Sequence, residues 1–233
     1  MAFILNIETS GYTCSVAISD DDNVILTKES DEKNSHSIKL APLTNELLKT
    51  LNLKTDQINA VAISRGPGSY TGLRIGTSFA KGLCYSLNIP LLAIDTLKLM
   101  CVNVLQKFSL SNESILCPMI DARRMEVYTA LYDTSLNNIS EIQPLILNQE
   151  TFEQYHNNEL YFFGSGMNKW KELANAKNSS NFRFIPDILP KAESMASLSY
   201  RLFKEKKYED TAYFEPFYLK DFIAGTSTKN KLF

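Results

Sequence analysis

Four short clusters in the chain carry side chains able to do chemistry. The stretch ISRGPGSYTGLRIGTSFAKG, residues 63 to 82, holds five of the nine glycines. Gly66, Gly68 and Ser69 fall where a strand should give way to a helix, and free amides with the helix dipole attract anions there. It is not a P-loop, because Gly72 is followed by Leu73 and Arg74 where a lysine is required. Nor is it a dinucleotide fingerprint, since Gly66 and Gly68 are followed by Thr71 at the third glycine position. The cluster reads either as an anion or nucleotide contact or as turn geometry alone. Asp121 and Arg123, with Arg124, form a second cluster, and Glu8 with Thr9 a third, extended by Ser10. A carboxylate at a hairpin tip can hold a hydrated Mg²⁺, and an arginine can hold a phosphate. The same residues can equally close an Asx turn and make surface ion pairs. His36 is the fourth. Position 40 is Leu40, so the H-x-x-x-H spacing of a helical metal site is absent and no metal is expected.

These residues must be held by the elements around them. FILNIETS, CSVAIS and NVILTKES read as three strands of an antiparallel meander. HSIKLAPLTNELLKTLNL changes period, with Leu40, Leu43, Leu47 and Leu51 at helical spacing and Pro42 inside. Asn59 to Ser64 and Ile89 to Asp95 are buried strands flanking the glycine stretch, which makes a βαβ unit with a parallel pair. TLKLMCVNVLQKF is a helix. A second passage opens at ILCPMIDARRMEVYTALYD as strand, turn, strand. EIQPLILN and LYFFG add strands, QETFEQYHN a short helix, and MNKWKELANA and AESMASLSYRLFKEKK two more helices. Both passages open with a hairpin whose first strand ends in an acid, Glu8 or Asp121. Two related α/β lobes are therefore expected, each a mixed sheet with helices. The first covers residues 1–97 plus about 190–220, the second 98–189, with a flexible tail at 221–233.

Composition narrows the function. The 233 residues carry a net charge of −2, and 44% are hydrophobic. That charge is no global footprint for a nucleic-acid binder. Lys204, Lys206 and Lys207 read as a solvated face. Cys14, Cys84, Cys101 and Cys117 form no C-x-x-C pair and read as buried free thiols in a reducing compartment. The opening apolar run is too short for a signal sequence and no run would span a membrane, so a cytoplasmic protein is expected. No G-x-S-x-G elbow or other nucleophile constellation appears, so no catalytic residue is assigned.

Gly72 and Gly76 need their own explanation. Each interior helical glycine costs about 1 kcal/mol against alanine. A helix that keeps them on a face with Leu73, Phe79, Ala80 and Leu83 gains from close approach of another element. That element lies either inside the same lobe or on another subunit.

Taken together, RGPGSYTGLRIGTSFAKGL, IDARRMEVYTALY, NSHSIKLAPLTNELL and ILNIETSGYTCSVAI resemble the bacterial TsaB (YeaZ) family, with FFGSG and FEPFYLKD as later landmarks. The resemblance implies a two-lobed actin/Hsp70/sugar-kinase-like fold. It implies a non-catalytic relative of TsaD, acting in the transfer of a threonylcarbamoyl group to adenosine 37 of tRNAs that read codons starting with A. Implied partners are a TsaD-like catalytic subunit, docked through the helices bearing His36, Leu40, Leu43, Leu47 and Leu51 and Gly72 to Leu83, and a TsaE-like ATPase joining the complex. A homodimer through similar surfaces is implied for the chain alone, with tRNA contact only indirect. No cofactor is required on this reading, and ATP or ADP is the candidate nucleotide. A phosphotransferase or ATPase of the same fold, using Glu8, Asp121 and the GPG turn, stays open as a rival, and a metallopeptidase as a weaker one.

Overall fold

A computed structural model describes residues 1–30, 32, 35–174 and 180–220. The tail expected at 221–233 lies outside the described residues. The chain builds one five-stranded pattern twice. In the first sheet β1 (Phe3–Glu8), β2 (Cys14–Asp20) and β3 (Asn23–Ser30) form the antiparallel meander, and β4 (Ala60–Gly66) and β5 (Leu91–Asp95) extend it in parallel from β1. Its order is β3-β2-β1-β4-β5. In the second, β6 (Ile115–Asp121), β7 (Glu126–Thr129) and β8 (Gln143–Ile146) are antiparallel, and β9 (Leu160–Phe163) and β10 (Phe182–Ile185) run parallel from β6. The order β8-β7-β6-β9-β10 repeats the first sheet element for element. The expected hairpin openings and parallel extensions are present, and β10 is a strand that the sequence pattern did not reveal.

Strand alternation decides what each face meets. Leu5 and Ile7 of β1, with Val16, Ile18, Val61 and Ile63, bury against α1 (His36–Thr50) and α2 (Tyr70–Leu87). Ile4, Ala60, Ala62, Leu92 and Ile94 turn to the opposite face, toward α3 (Thr96–Lys107) and α5 (Ala196–Lys204). Helix α3 is apolar nearly all round and serves both sheets. Its Leu99 and Val102 pack on the first, and its Leu97, Met100, Cys101 and Val104 pack with Leu116, Tyr132 and Phe163 of the second. Helix α4 (Met167–Ala174) closes the far side, where Trp170 packs among Phe152, Phe162 and Phe182. The segments read as helical at 153–155 and 192–195 are 3-10 turns, the second leading directly into α5.

After α5 the chain returns over the first lobe as an irregular strap. Phe214 reaches the core under α1 and α2. The Phe217 amide donates to the Arg65 carbonyl at 2.7 Å, and Lys220 pairs with Glu126 of β7. The strap thus touches both lobes, a long-range arrangement with no periodic signal behind it.

Candidate functional site

Strand β1 delivers Glu8 to the end of the first sheet, where the chain turns through Thr9, Ser10 and Gly11 into β2. Glu8 is fully buried. Its Oε1 accepts from the Ser10 amide at 2.5 Å, while Oε2 has no hydrogen-bond partner among the described residues. Burial pushes the carboxyl above its ordinary pKa. The nearby Ser10 and Ser64 hydroxyls and the Ser10 and Gly11 amides pull the other way. The two hydroxyls face the carboxyl without completing hydrogen-bond geometry. Desolvation disfavours the charged form, so this enclosed carboxyl is a weaker holder of a hydrated cation than an exposed one.

The glycine turn closes onto this same loop. The Ser69 amide donates to the Ser10 carbonyl at 2.7 Å, and the Ser69 hydroxyl caps α2 by accepting from the Gly72 amide at 3.2 Å. Two of the amides expected to face an anion are therefore spent inside the chain. Of the anion cradle expected at Gly66, Gly68 and Ser69, the Ser69 amide is bonded inside the chain, while Glu8 Oε2, Ser10 Oγ and Ser64 Oγ beside it have no hydrogen-bond partner among the described residues.

The helical glycines have an internal reason too. A Cβ on Gly72 would lie 2.0 Å from the Thr9 carbonyl oxygen, and one on Gly76 would lie 2.2 Å from Thr9 Oγ1. Helix α2 is seated directly on the Thr9–Ser10 turn, so close approach is within the lobe. Leu40, Leu47, Leu73 and Ala80 are buried with them, and Leu43, Leu51, Phe79 and Leu83 pack half-buried on the same core. His36 is buried at the start of α1, its Nε2 without a hydrogen-bond partner among the described residues. Helical apolar periodicity marks the face turned to the protein's own core, so His36, Leu40, Leu47, Gly72, Leu73, Gly76 and Ala80 are turned inward, whereas Leu43, Leu51, Phe79 and Leu83 keep part of their surface exposed. The outward face was missed. On α1 it carries Ile38, 71% exposed, and on α2 Tyr85, 85% exposed. Ala41 and Asn45 share the first face, Ser78 and Gly82 the second. A Cβ on Gly82 would meet nothing within 4 Å. The signal was there as the residues left over once the core stripe is removed.

Asp121 ends β6 as Glu8 ends β1, with different partners. One Asp121 oxygen accepts from the Arg123 amide at 2.6 Å and from Lys169 Nζ at 2.6 Å, and the Asp121 amide donates to Ser165 Oγ at 3.1 Å. This is the turn-and-ion-pair alternative of the sequence reading. Glu8 and Asp121 thus serve separate loops at the ends of separate sheets, each engaged by its own neighbours. Among the described residues no group of three or more His, Cys, Asp and Glu side chains is placed to hold a metal ion, and no helix is long and apolar enough to cross a membrane.

Comparison with known proteins agrees with this geometry. The family model of TsaD, tRNA N6-adenosine threonylcarbamoyltransferase, matches residues 30–227. The Escherichia coli K12 protein named tRNA threonylcarbamoyladenosine biosynthesis protein TsaB is 31% identical over 235 residues, covering 98% of this chain and 99% of that one. The solved structure of YeaZ from Pseudomonas aeruginosa superposes with a TM-score of 0.78 at 23% identity, over 94% of this chain and 100% of the other. In fold alone, the likeness extends to the ethanolamine utilization protein EutJ of Carboxydothermus hydrogenoformans, with a TM-score of 0.53 at 8% identity over 84% of this chain and 90% of that one. The repeated mixed sheet is the two-lobed actin/Hsp70/sugar-kinase-like architecture expected from the sequence. On the full-length match to a named TsaB and the family model over most of its length, the chain belongs to the TsaB family, a branch of the TsaD family.

Proposed function

We propose that this protein is a non-catalytic subunit supporting transfer of a threonylcarbamoyl group to adenosine 37 of tRNAs that read codons starting with A. It docks a TsaD-like catalytic subunit through the outward faces of α1 and α2, and a TsaE-like ATPase joins the assembly through that pair. It works in the cytoplasm, and the same faces pair two copies when the partner is absent. The observation that carries the reading is the closed first loop. Glu8 is buried and pushed toward its neutral form, and the Ser69 and Gly72 amides are bonded internally. A loop built this way disfavours the charged carboxylate that Mg²⁺ needs and has two of its amides already bonded, so no nucleotide is assigned to it.

The docking reading is supported by two adjacent helices that leave Ile38 and Tyr85 in solvent. Large aromatics at the centre of an interface are the usual anchors, each worth about 2 kcal/mol or more. Tyr85→Glu is therefore expected to weaken binding to a purified TsaD-like subunit by about thirtyfold or more, at about 1.4 kcal/mol per tenfold. Ile38→Glu acts in the same direction. Both positions are exposed, so the variants keep the parent's melting temperature. Titration calorimetry checks the affinity, and unchanged binding by both variants removes α1 and α2 from the interface.

A further inference from the structure

The Asp-Ala-Arg-Arg turn is not absorbed by the docking reading. Arg123 and Arg124 sit consecutively at the tip between β6 and β7 with φ of 69° and 48°. Both are in the left-handed region, which glycine and asparagine tolerate and other side chains resist. The turn is held there by Asp121, which accepts from the Arg123 amide, and by the Arg123 carbonyl, which accepts from the Glu126 amide at 3.2 Å. Both arginines are exposed. Among the described residues neither guanidinium has an ion-pair partner. The two carboxylates nearby are already taken, Asp121 by Lys169 and Glu126 by Lys220. Among the described residues Arg123, Arg124, Lys169 and Lys220 stand here against Asp121 and Glu126, an excess of positive charge on a chain whose net charge is −2. A tight hairpin turn accounts for positive φ at these two positions, and asparagine would adopt it with less strain; the turn presents both arginine side chains to solvent.

We propose that Arg123 and Arg124 are a direct RNA contact, gripping backbone phosphates of the tRNA substrate from the tip of the second lobe. RNA is the polyanion argued for because the fork of a guanidinium bridges phosphate oxygens and its plane stacks on unpaired bases. The choice of tRNA rests on the function proposed above. It goes beyond the indirect contact expected from the sequence.

The test uses the full chain and a fluorescein-labelled tRNA transcript, followed by anisotropy at several salt concentrations. The double variant Arg123→Asn/Arg124→Asn is expected to bind at least about tenfold more weakly, as loss of charge-assisted bonds implies. Its salt dependence should fall by about one unit of slope per arginine. Its melting temperature should stay at or above the parent's, since asparagine accepts the left-handed backbone; that separates lost contact from lost fold. Arg123→Lys/Arg124→Lys keeps the charge and should recover part of the binding. Binding of the double Asn variant equal to the parent's overturns the proposal, as does a parent chain that does not bind the transcript. So does a double variant that keeps RNA affinity but loses a TsaD-like subunit, which would assign the tip to a protein contact. Docking is read separately from Tyr85→Glu, so failure of that reading leaves a distinct signature.

Discussion

Substituting alanine into one helix, α2, at two glycines should move stability in opposite directions. At Gly82 an added Cβ meets nothing within 4 Å. Only the propensity difference operates, and Gly82→Ala should gain about 1 kcal/mol. At Gly72 the same methyl would lie 2.0 Å from the Thr9 carbonyl oxygen, with the Thr9 carbonyl carbon at 3.2 Å and Ser69 Cβ at 3.3 Å. The obstacle is backbone, so no flexible side chain can swing aside. The helix must lift off the β1–β2 turn by more than an ångström to restore ordinary contact, which strains the Ser69–Ser10 hydrogen bond that pins the turn. Overpacking of this kind costs about 1–3 kcal/mol, and a rigid partner puts it at the upper end. Setting about 3 kcal/mol against the 1 gained from propensity leaves Gly72→Ala about 2 kcal/mol less stable. At roughly 2–4 °C per kcal/mol for a chain of this size, Gly82→Ala should melt a few degrees higher than the parent and Gly72→Ala about 4–8 °C lower. Differential scanning calorimetry of the three proteins reads this directly. If Gly72→Ala is as stabilising as Gly82→Ala, α2 is not seated on Thr9, and the internal explanation of the glycine spacing fails.

Other outcomes follow from the same geometry. The folded-state pKa of Glu8 is raised, so its contribution is fully present below the unfolded carboxylate value and is lost as pH rises through the folded one. Glu8→Gln removes that titration, and should match the parent in acid and exceed its melting temperature near neutrality; parallel melting curves across pH would contradict the buried-acid assignment. Phe214 anchors the strap in the core at 9% exposure, so Phe214→Ala should cost about 3 kcal/mol and expose the strap to protease. Limited proteolysis with mapping of the cut sites checks it, and an unchanged pattern at unchanged stability would detach the strap from the core.

Much of the fold was legible because it is written in local periodicity. The meander, the leucine stripe of α1, and the βαβ unit around Gly66 to Gly82 all follow from alternation and helical spacing. The twofold repeat was visible in two hairpins ending in Glu8 and Asp121. Carried one step further, it would have demanded β10 as the counterpart of β5, although FRFI alone is too short to announce itself. Contacts distant in sequence were not legible. Thr9 lies sixty or more residues before the glycines it explains, Lys169 forty-eight after Asp121, and Lys220 ninety-four after Glu126. The glycine spacing correctly signalled a close approach and could not say to what. The leucine stripe correctly signalled a buried face, and its burial inside the lobe is why the proposed docking surface is drawn on the residues between the leucines.

The proposed subunit acts by docking and performs no chemistry at its own first loop. Threonylcarbamoyl incorporation into a tRNA transcript, catalysed by a TsaD-like subunit with its activated substrate and ATPase partner and titrated with this chain, tests that most directly. The expected result is that this chain raises the rate to a plateau, Glu8→Gln reaches the same plateau, and Tyr85→Glu does not at matched concentration. Full activation by Tyr85→Glu, or loss of activation by a Glu8→Gln variant that still docks, would place the function in the loop and contradict the account.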